Sequence, residues 1–200
     1  NIENLDFFEA VKLLADRSGL KLPDAQYDDT TANLRRRIYE ANREAARFFH
    51  ETLFTEKGKA QLDYLIRRNI SPKMIKHFGL GAAPDDWHAL EEHLKQKGFK
   101  QNELIAANLV RYTEKNGKRY YYDAFRAKVI YPVIDLRGNV VAFGGRVLDN
   151  SKPKYINTSD TLVYKKSNEL FGLNFAKNGN DRKLILCEGY MDVIALHQAG

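Results

Sequence analysis

The chain contains the run KVIYPVIDLRGNVVAF at residues 128–143, in which two apolar segments flank Asp135-Leu-Arg-Gly-Asn139. β-Branched and aromatic residues dominate both segments, and Gly138 can adopt the positive φ that a tight hairpin turn requires. This pattern predicts two antiparallel strands, at residues 128–135 and 140–143. Further short runs predict other strands, at residues 109–112, 119–123 and 184–187.

The first half of the chain has the apolar spacing of helices, with positions recurring at intervals of three and four. Gly19 stands where a C-cap is expected, and Ser71 and Pro72 have the N-cap and first-turn positions of a helix. Other helices are predicted at residues 4–20, 32–55, 59–68, 87–98 and 101–107, with a loop at 80–87. The acidic, proline-interrupted segment at residues 21–30 is typical of a linker. The fold class is therefore α/β, mainly helical first and then a mixed sheet.

The composition is that of a globular protein, since 44% of the 200 residues are hydrophobic and 12% are aromatic. No apolar run approaches the roughly 18–20 residues of a membrane span, and the first residues lack the basic flank and apolar core of a secretion signal. A single cysteine, Cys187, excludes an intramolecular disulfide framework. We therefore expect one hydrophobic core, no membrane partner and a cytoplasmic location.

Positive charge is concentrated after residue 30. The chain has 32 basic and 26 acidic residues, and residues 1–30 hold three basic and seven acidic ones. Between Arg126 and Lys166, eight basic residues are interleaved with four aromatic ones, and only three acidic residues occur. Cations beside aromatic rings suit a single-stranded polynucleotide, because phosphates need cations and unstacked bases need a flat partner. An ordinary sheet with a solvated charged face is the alternative.

Two carboxylates occur where the last predicted strand gives way to a helix. The apolar run 184–187 ends in Glu188 and Gly189, and Asp192 follows within the first helical turn. Ligands bind at the carboxyl ends of strands in open α/β sheets, and two carboxylates there could hold Mg²⁺. The alternative is that Asp192 only complements the helix dipole.

Glycines and lysines precede this motif. Gly144-Gly145 directly precedes Arg146 and indicates a backbone that bulges or is approached closely. The segment 151–157 places Lys152 and Lys154 on either side of a proline, which predicts an extended loop where both can face one ligand.

The motif Glu188-Gly-Tyr-Met-Asp192 resembles the opening of a Toprim domain in the form used by bacterial replicative DNA primases of the DnaG type. Other segments occur in the order and approximate spacing of the primase catalytic core: residues 125–132, 143–146, 153–155 and 166–173. The resemblance covers residues 30–200, while residues 1–20 resemble the helix that closes the family's zinc-binding module. It implies four parts: the tail helix of that module (1–20), a linker (21–30), the N-terminal subdomain of the core (31–180) and the start of Toprim (181–200).

The resemblance implies a template-directed RNA polymerase that makes short RNA primers on single-stranded DNA from nucleoside triphosphates during replication. Glu188 would be a metal ligand or general acid/base, and Asp192 its acidic partner, with Mg²⁺ or Mn²⁺ as the cofactor. Zn²⁺ is expected only in the upstream module, and the replicative helicase would bind a C-terminal domain that this chain lacks. Contacts to nucleotide or template are implied for Arg68, Arg126, Lys128, Arg146, Lys154, Tyr155, Asn157 and Lys166.

The family's other metal-binding carboxylates lie beyond the position of Gly200, so the 200 residues alone are expected to be inactive. Two alternatives stay open. One is a fragment that binds single-stranded DNA or nucleotide without catalysis. The other is a different Toprim enzyme, a topoisomerase or nuclease, which would share Glu188 but not the segments around Lys154 and Lys166.

Overall fold

The computed structural model describes residues 7–20, 29–149, 152–177 and 183–200. Contacts group the chain into two compact units, residues 1–34 and 35–200. In the first unit, helix α1 spans Phe7–Arg17. It ends as predicted, because Gly19 has φ +65° and the Leu20 amide donates to the Ala15 carbonyl. Most of the predicted linker, residues 21–28, lies outside the described residues.

The helices of the second unit follow the apolar spacing of the sequence. Helix α2 (Asp29–Leu53) starts within the last residues assigned to the linker, so its first residues belong to the first unit and the rest to the second. None of the described helices is long and apolar enough to cross a membrane. The Ser71 hydroxyl accepts from the Met74 amide at 3.4 Å, which confirms the predicted N-cap. The remaining helices are α2 (Asp29–Leu53), α3 (Lys59–Arg67), α4 (Pro72–His77), α5 (Ala89–Gln96), α6 (Gln101–Ala106), α7 (Leu173–Ala176) and α8 (Tyr190–Ala199).

The strands form a four-stranded sheet and a separate two-stranded hairpin. They are β1 (Gly81–Ala83), β2 (Val110–Lys115), β3 (Lys118–Asp123), β4 (Lys128–Ile134), β5 (Val140–Val147) and β6 (Tyr155–Asn157). The sheet has the order β1-β4-β5-β6 with antiparallel neighbours throughout, and β2 pairs with β3. The predicted mixed fold is confirmed.

The turn between β4 and β5 forms as its residues predict. The Asp135 amide donates to the Asn139 carbonyl at 2.9 Å, and the Asp135 carboxylate accepts from the amides of Arg137 and Asn139. Gly138 has φ +88°, a conformation in which a side chain would be strained. The hairpin prediction is therefore confirmed in its strands and in its turn.

Three strand predictions need correction. Residues 81–83, predicted as loop, form β1, a strand too short to show an alternating pattern, and β6 was not predicted. Residues 184–187, predicted as a strand, have no strand partner within the described part of the chain. Leu184, Ile185 and Leu186 are 66%, 76% and 81% exposed. An apolar run becomes a strand only when a neighbouring strand satisfies its backbone groups, and none is present here.

The core surrounds β4. On one side, α2 contacts the sheet directly, since a Cβ on Gly81 would lie 2.7 Å from the Phe49 Cβ. Another buried cluster joins Val129 and Tyr131 of β4 to α3, α4 and α8, and it includes Ile194 of α8. The Gln198 side chain also bonds the backbone between α3 and α4. Helix α8 is thus held against the sheet, and this fixes the position of the acidic motif at its start.

Candidate active site

A cleft of about 480 Å³ brings together five of the ten predicted site residues. Its walls come from the end of α3, from β5 and β6, and from the start of α8. The predicted residues in it are Arg68, Arg146, Tyr155, Glu188 and Asp192. Within the described ranges, no ion pair joins the two arginines to the two carboxylates. The two arginines and the two carboxylates therefore line one cavity, and both the positive and the negative groups stay available to a ligand.

Tyrosines hold the two guanidinium groups. Arg146 donates from Nη1 to the Tyr155 hydroxyl at 2.6 Å across the β5–β6 pair, and its guanidinium carbon lies 5.2 Å from the centre of the Tyr64 ring. Arg68 donates from Nε to the Tyr64 hydroxyl at 3.2 Å. The sequence analysis missed Tyr64, although its position one helical turn before Arg68 predicts that the two side chains meet.

The Nε atom of Arg146 is buried and has no hydrogen-bond partner among the residues that the structure describes. A buried donor that stays unsatisfied costs about 1–3 kcal/mol. A water molecule or a ligand oxygen that reaches Nε would remove that cost, so Arg146 has a hydrogen-bond donor left for such a partner.

The acidic motif lies at the start of α8. Glu188 and Gly189 precede the helix, and the Gly189 carbonyl accepts from the Asp192 amide at 3.1 Å. A Cβ on Gly189 would lie 2.9 Å from Asp192 Oδ2, so glycine leaves room for the Asp192 carboxylate to lie back over it. Asp192 therefore both stands at the positive end of the helix dipole and lines the cleft.

Tyr190 connects the acidic motif to the sheet. Its ring stacks on Tyr131 with centroids 5.0 Å apart and an interplanar angle of 8°, and its hydroxyl donates to Asn157 Oδ1 at 2.7 Å. Burial raises the pKa of Tyr190 to about 12, so the hydroxyl keeps its proton and remains a donor. A Cβ on Gly144 would lie 2.5 Å from the Tyr190 ring. The Gly144-Gly145 pair therefore allows a close approach, which is one of the two explanations given for it in the sequence analysis. The other explanation, a bulge, does not apply, because the pairing of β4 with β5 is regular at these two residues.

Arg126 and Lys128 lie apart from the residues that line the cleft. Arg126 donates to the Asp85 carboxylate at 2.7 Å, and its guanidinium carbon lies 3.9 Å from the centre of the Trp87 ring. Lys128 Nζ donates to the Arg126 carbonyl at 3.0 Å, and burial lowers the pKa of its ammonium. Trp87, 53% exposed, was missed by the sequence analysis. Arg126, Lys128 and the indole of Trp87 together form a second candidate binding surface, separate from the cleft lining.

The other three predicted residues are also outside the cleft lining. Lys154 is exposed just before β6, where its carbonyl accepts from the Val147 amide. Asn157 uses its side-chain oxygen to accept from Tyr190. Lys166 is exposed in a short 3₁₀ turn, and its amide donates to the Asp160 carboxylate.

Comparison with known proteins identifies the family. A family model described as the DNA primase catalytic core, N-terminal domain, matches residues 48–177. The chain belongs to the DNA primase family. It is 45% identical to the DNA primase of Clostridium acetobutylicum over 99% of its own length, and it spans about a third (33%) of that relative.

Solved primase structures share the fold. A DnaG primase catalytic domain bound to single-stranded DNA has a TM-score of 0.74 at 34% identity and matches 84% of this chain and 52% of its own. The RNA polymerase domain of Mycobacterium tuberculosis primase with double-stranded DNA has a TM-score of 0.76 at 37% identity, covering 83% and 53%. The Aquifex aeolicus primase with its zinc-binding and RNA polymerase domains has a TM-score of 0.71 at 32% identity, covering 98% and 46%.

The metal ion that the primase family implies can be tested against this cleft. Glu188 and Asp192 supply carboxylate oxygens, the ligands that Mg²⁺ prefers, to a cavity that is also lined by Arg68 and Arg146. No group of three or more acidic, histidine or cysteine side chains suited to a metal occurs in the described ranges. Two carboxylates fit Mg²⁺ as part of a ligand set, because this ion commonly completes its shell with substrate phosphates and water.

Proposed function

We propose that this chain supplies the template- and nucleotide-binding part of a primer-synthesising RNA polymerase, together with its first two acidic groups. One observation carries the proposal: Arg68 and Arg146 line the same cleft as Glu188 and Asp192. Nucleotidyl transfer needs cationic groups that bind a triphosphate and carboxylates that can hold a metal ion beside the reacting phosphate. Membership of the primase family supports the same reaction.

In the proposed reaction, the 3′-hydroxyl oxygen of one nucleotide attacks the α-phosphorus of the next. A phosphorus–oxygen bond forms and the bond to pyrophosphate breaks. The proton of the hydroxyl passes to water or, where Glu188 does not hold the metal ion, to the Glu188 carboxylate. Arg68 and Arg146 bind the triphosphate and orient it for in-line attack. Mg²⁺ or Mn²⁺ held by Glu188 and Asp192 would stabilise the charge that develops on the phosphoryl oxygens. Further acidic ligands would come from the part of the protein that corresponds to the remaining length of the relatives.

We place the single-stranded DNA template on the second surface, where Arg126 lies over Trp87 and Lys128 is adjacent. An exposed indole offers a stacking platform, and the guanidinium, which uses Nη1 on the Asp85 carboxylate, has further N–H donors for a phosphate contact. Lys154 and Lys166 are exposed and are proposed as further contacts to phosphate.

A Trp87→Ala variant of the full-length primase is expected to bind single-stranded DNA about 5- to 150-fold more weakly, because stacking of a base on an aromatic ring contributes about 1–3 kcal/mol. Fluorescence anisotropy with a labelled oligonucleotide measures the loss. Phe54→Ala is the matched control, since Phe54 is 59% exposed and lies outside both surfaces. Equal affinities of the two variants would remove Trp87 from the template path.

The function itself is tested by primer synthesis with Mg²⁺ and nucleoside triphosphates on a single-stranded template. The full-length protein is expected to synthesise short RNA, and the 200-residue chain is expected to bind DNA in a salt-sensitive way without synthesis. Synthesis by the 200 residues alone would show that no further carboxylates are needed. Binding without synthesis by the full-length protein would favour a non-catalytic DNA-binding role.

The wider assignments follow from the same family. We propose that residues 1–20 end a zinc-binding module, that 21–30 are a linker, that 31–180 form the N-terminal subdomain of the core, and that residues 181–200 begin a Toprim domain. Structural Zn²⁺ would lie upstream, as the domain composition of the Aquifex aeolicus primase supports. The replicative helicase would contact a C-terminal domain, and the reaction would take place in the cytoplasm.

A further inference from the structure

The β2–β3 hairpin has two chemically different faces. Residues directly opposite each other in an antiparallel pair project to the same face. One face, here called the basic face, carries Arg111, Thr113, Lys115, Lys118, Tyr120 and Tyr122. It has three cations and two tyrosines and lacks any carboxylate.

The opposite face is occupied by contacts within the chain. Arg119 lies 3.6 Å from the Glu114 carboxylate and 4.7 Å from the centre of the Tyr112 ring. The Asp123 carboxylate accepts from the amides of Leu90 and Glu91 and so caps helix α5. Charge on this face is therefore balanced locally, whereas the basic face presents a net positive charge to solvent.

The basic face is continuous with the second candidate surface. The Trp87 ring meets the Tyr122 ring edge to face, with centroids 5.9 Å apart, and the Trp87 carbonyl accepts from the Asp123 amide. Tyr120 is 54% exposed and lies two residues farther along the same strand face. From Tyr122 to Lys118 the strand extends about 13 Å at about 3.3 Å per residue. Trp87, Tyr122 and Tyr120 thus form a row of rings with cations beside it.

We propose that the basic face of the β2–β3 hairpin extends the binding path of single-stranded DNA beyond Trp87. The proposal rests on the proposed function, since it lengthens the template surface assigned there. Rings in a row give successive bases a stacking partner, and Arg111, Lys115 and Lys118 neutralise the phosphates between them. An acidic protein segment would use the cations but leave the row of tyrosines without a role.

The test compares the two faces of the same hairpin in the full-length primase. The double variant Lys118→Ala/Tyr120→Ala changes the basic face, and Arg119→Ala/Tyr112→Ala makes matched changes on the opposite face. Tyr120 and Tyr112 are 54% and 41% exposed, so both pairs lie at the surface. Affinity for a fluorescent single-stranded oligonucleotide is measured across a salt series, and thermal unfolding checks that both variants remain folded.

The basic-face variant is expected to bind about fivefold or more weakly, and its slope of log affinity against log salt is expected to fall by about 0.7 for the lost lysine. The opposite-face variant is expected to stay within about twofold of the parent protein. Equal effects of the two variants, or none from the basic-face variant, would overturn the proposal. If Trp87→Ala weakens binding while the basic-face variant does not, the hairpin inference fails and the template surface stands. If neither weakens binding, both fail.

Discussion

Primer synthesis is expected to fall at least about a hundredfold in a Glu188→Gln variant of the full-length primase, while its affinity for single-stranded DNA stays unchanged. The amide keeps the size of the side chain but removes the charge that would bind a metal ion or accept a proton. Glu188 lines the cleft, so the change acts at the proposed site of nucleotide addition and away from the Trp87 surface. A gel assay of labelled RNA products, run beside the binding measurement, separates the two effects.

A matched control is Glu56→Gln, because Glu56 is exposed in a short 3₁₀ turn outside the cleft. This variant is expected to retain full synthesis. Unimpaired synthesis by Glu188→Gln would remove Glu188 from the reaction. Loss of DNA binding together with synthesis would instead point to a structural role of the motif.

A Gly144→Ala substitution is expected to destabilise the fold by about 1–3 kcal/mol, the usual cost of overpacking a well-packed interior. The new Cβ would lie 2.5 Å from the Tyr190 ring, and this ring is also held by the stack on Tyr131 and the hydrogen bond to Asn157. Either β5 or the start of α8 must shift. Because α8 carries the acidic motif, primer synthesis is expected to fall as well. Denaturant unfolding of the full-length protein measures the stability change.

A double-mutant cycle isolates the cause. In a Tyr190→Ala background the ring is gone, so Gly144→Ala is expected to cost less than in the parent protein, and the two effects are expected to be non-additive. Additive effects would mean that the ring and the glycine do not limit each other. The contact between β5 and α8 would then not position the acidic motif.

The local elements were predictable wherever their signals lie close together in the sequence. The β4–β5 hairpin needed only two apolar segments and a glycine with positive φ, and the N-cap at Ser71 needed only a hydroxyl before a proline. The spacing of Glu188 and Asp192 predicted that the two carboxylates lie close together. Arg146 was assigned to nucleotide or template only through the family resemblance, and its place in the same cleft was not predicted.

The features that were not predicted depend on contacts between residues far apart in sequence, and a local pattern along the chain carries no information about them. Residues 184–187 have the composition of a buried strand, but a strand exists only with a partner, and they are exposed here. Tyr190 was predicted only as part of the acidic motif. Its contacts with the sheet, to Tyr131, Gly144 and Asn157, were not predicted because these residues lie far away in sequence. Asn157 was predicted to contact ligand, which stays a prediction, and its side-chain oxygen accepts a hydrogen bond from that tyrosine.

The most direct test of the central claim, that the cleft is the site of nucleotidyl transfer, is anomalous X-ray scattering from crystals of the full-length primase grown with Mn²⁺ and a nucleoside triphosphate. We predict a manganese peak at the carboxylates of Glu188 and Asp192, with the triphosphate against Arg68 and Arg146. Manganese and triphosphate bound together elsewhere, with neither touching these four side chains, would contradict the account.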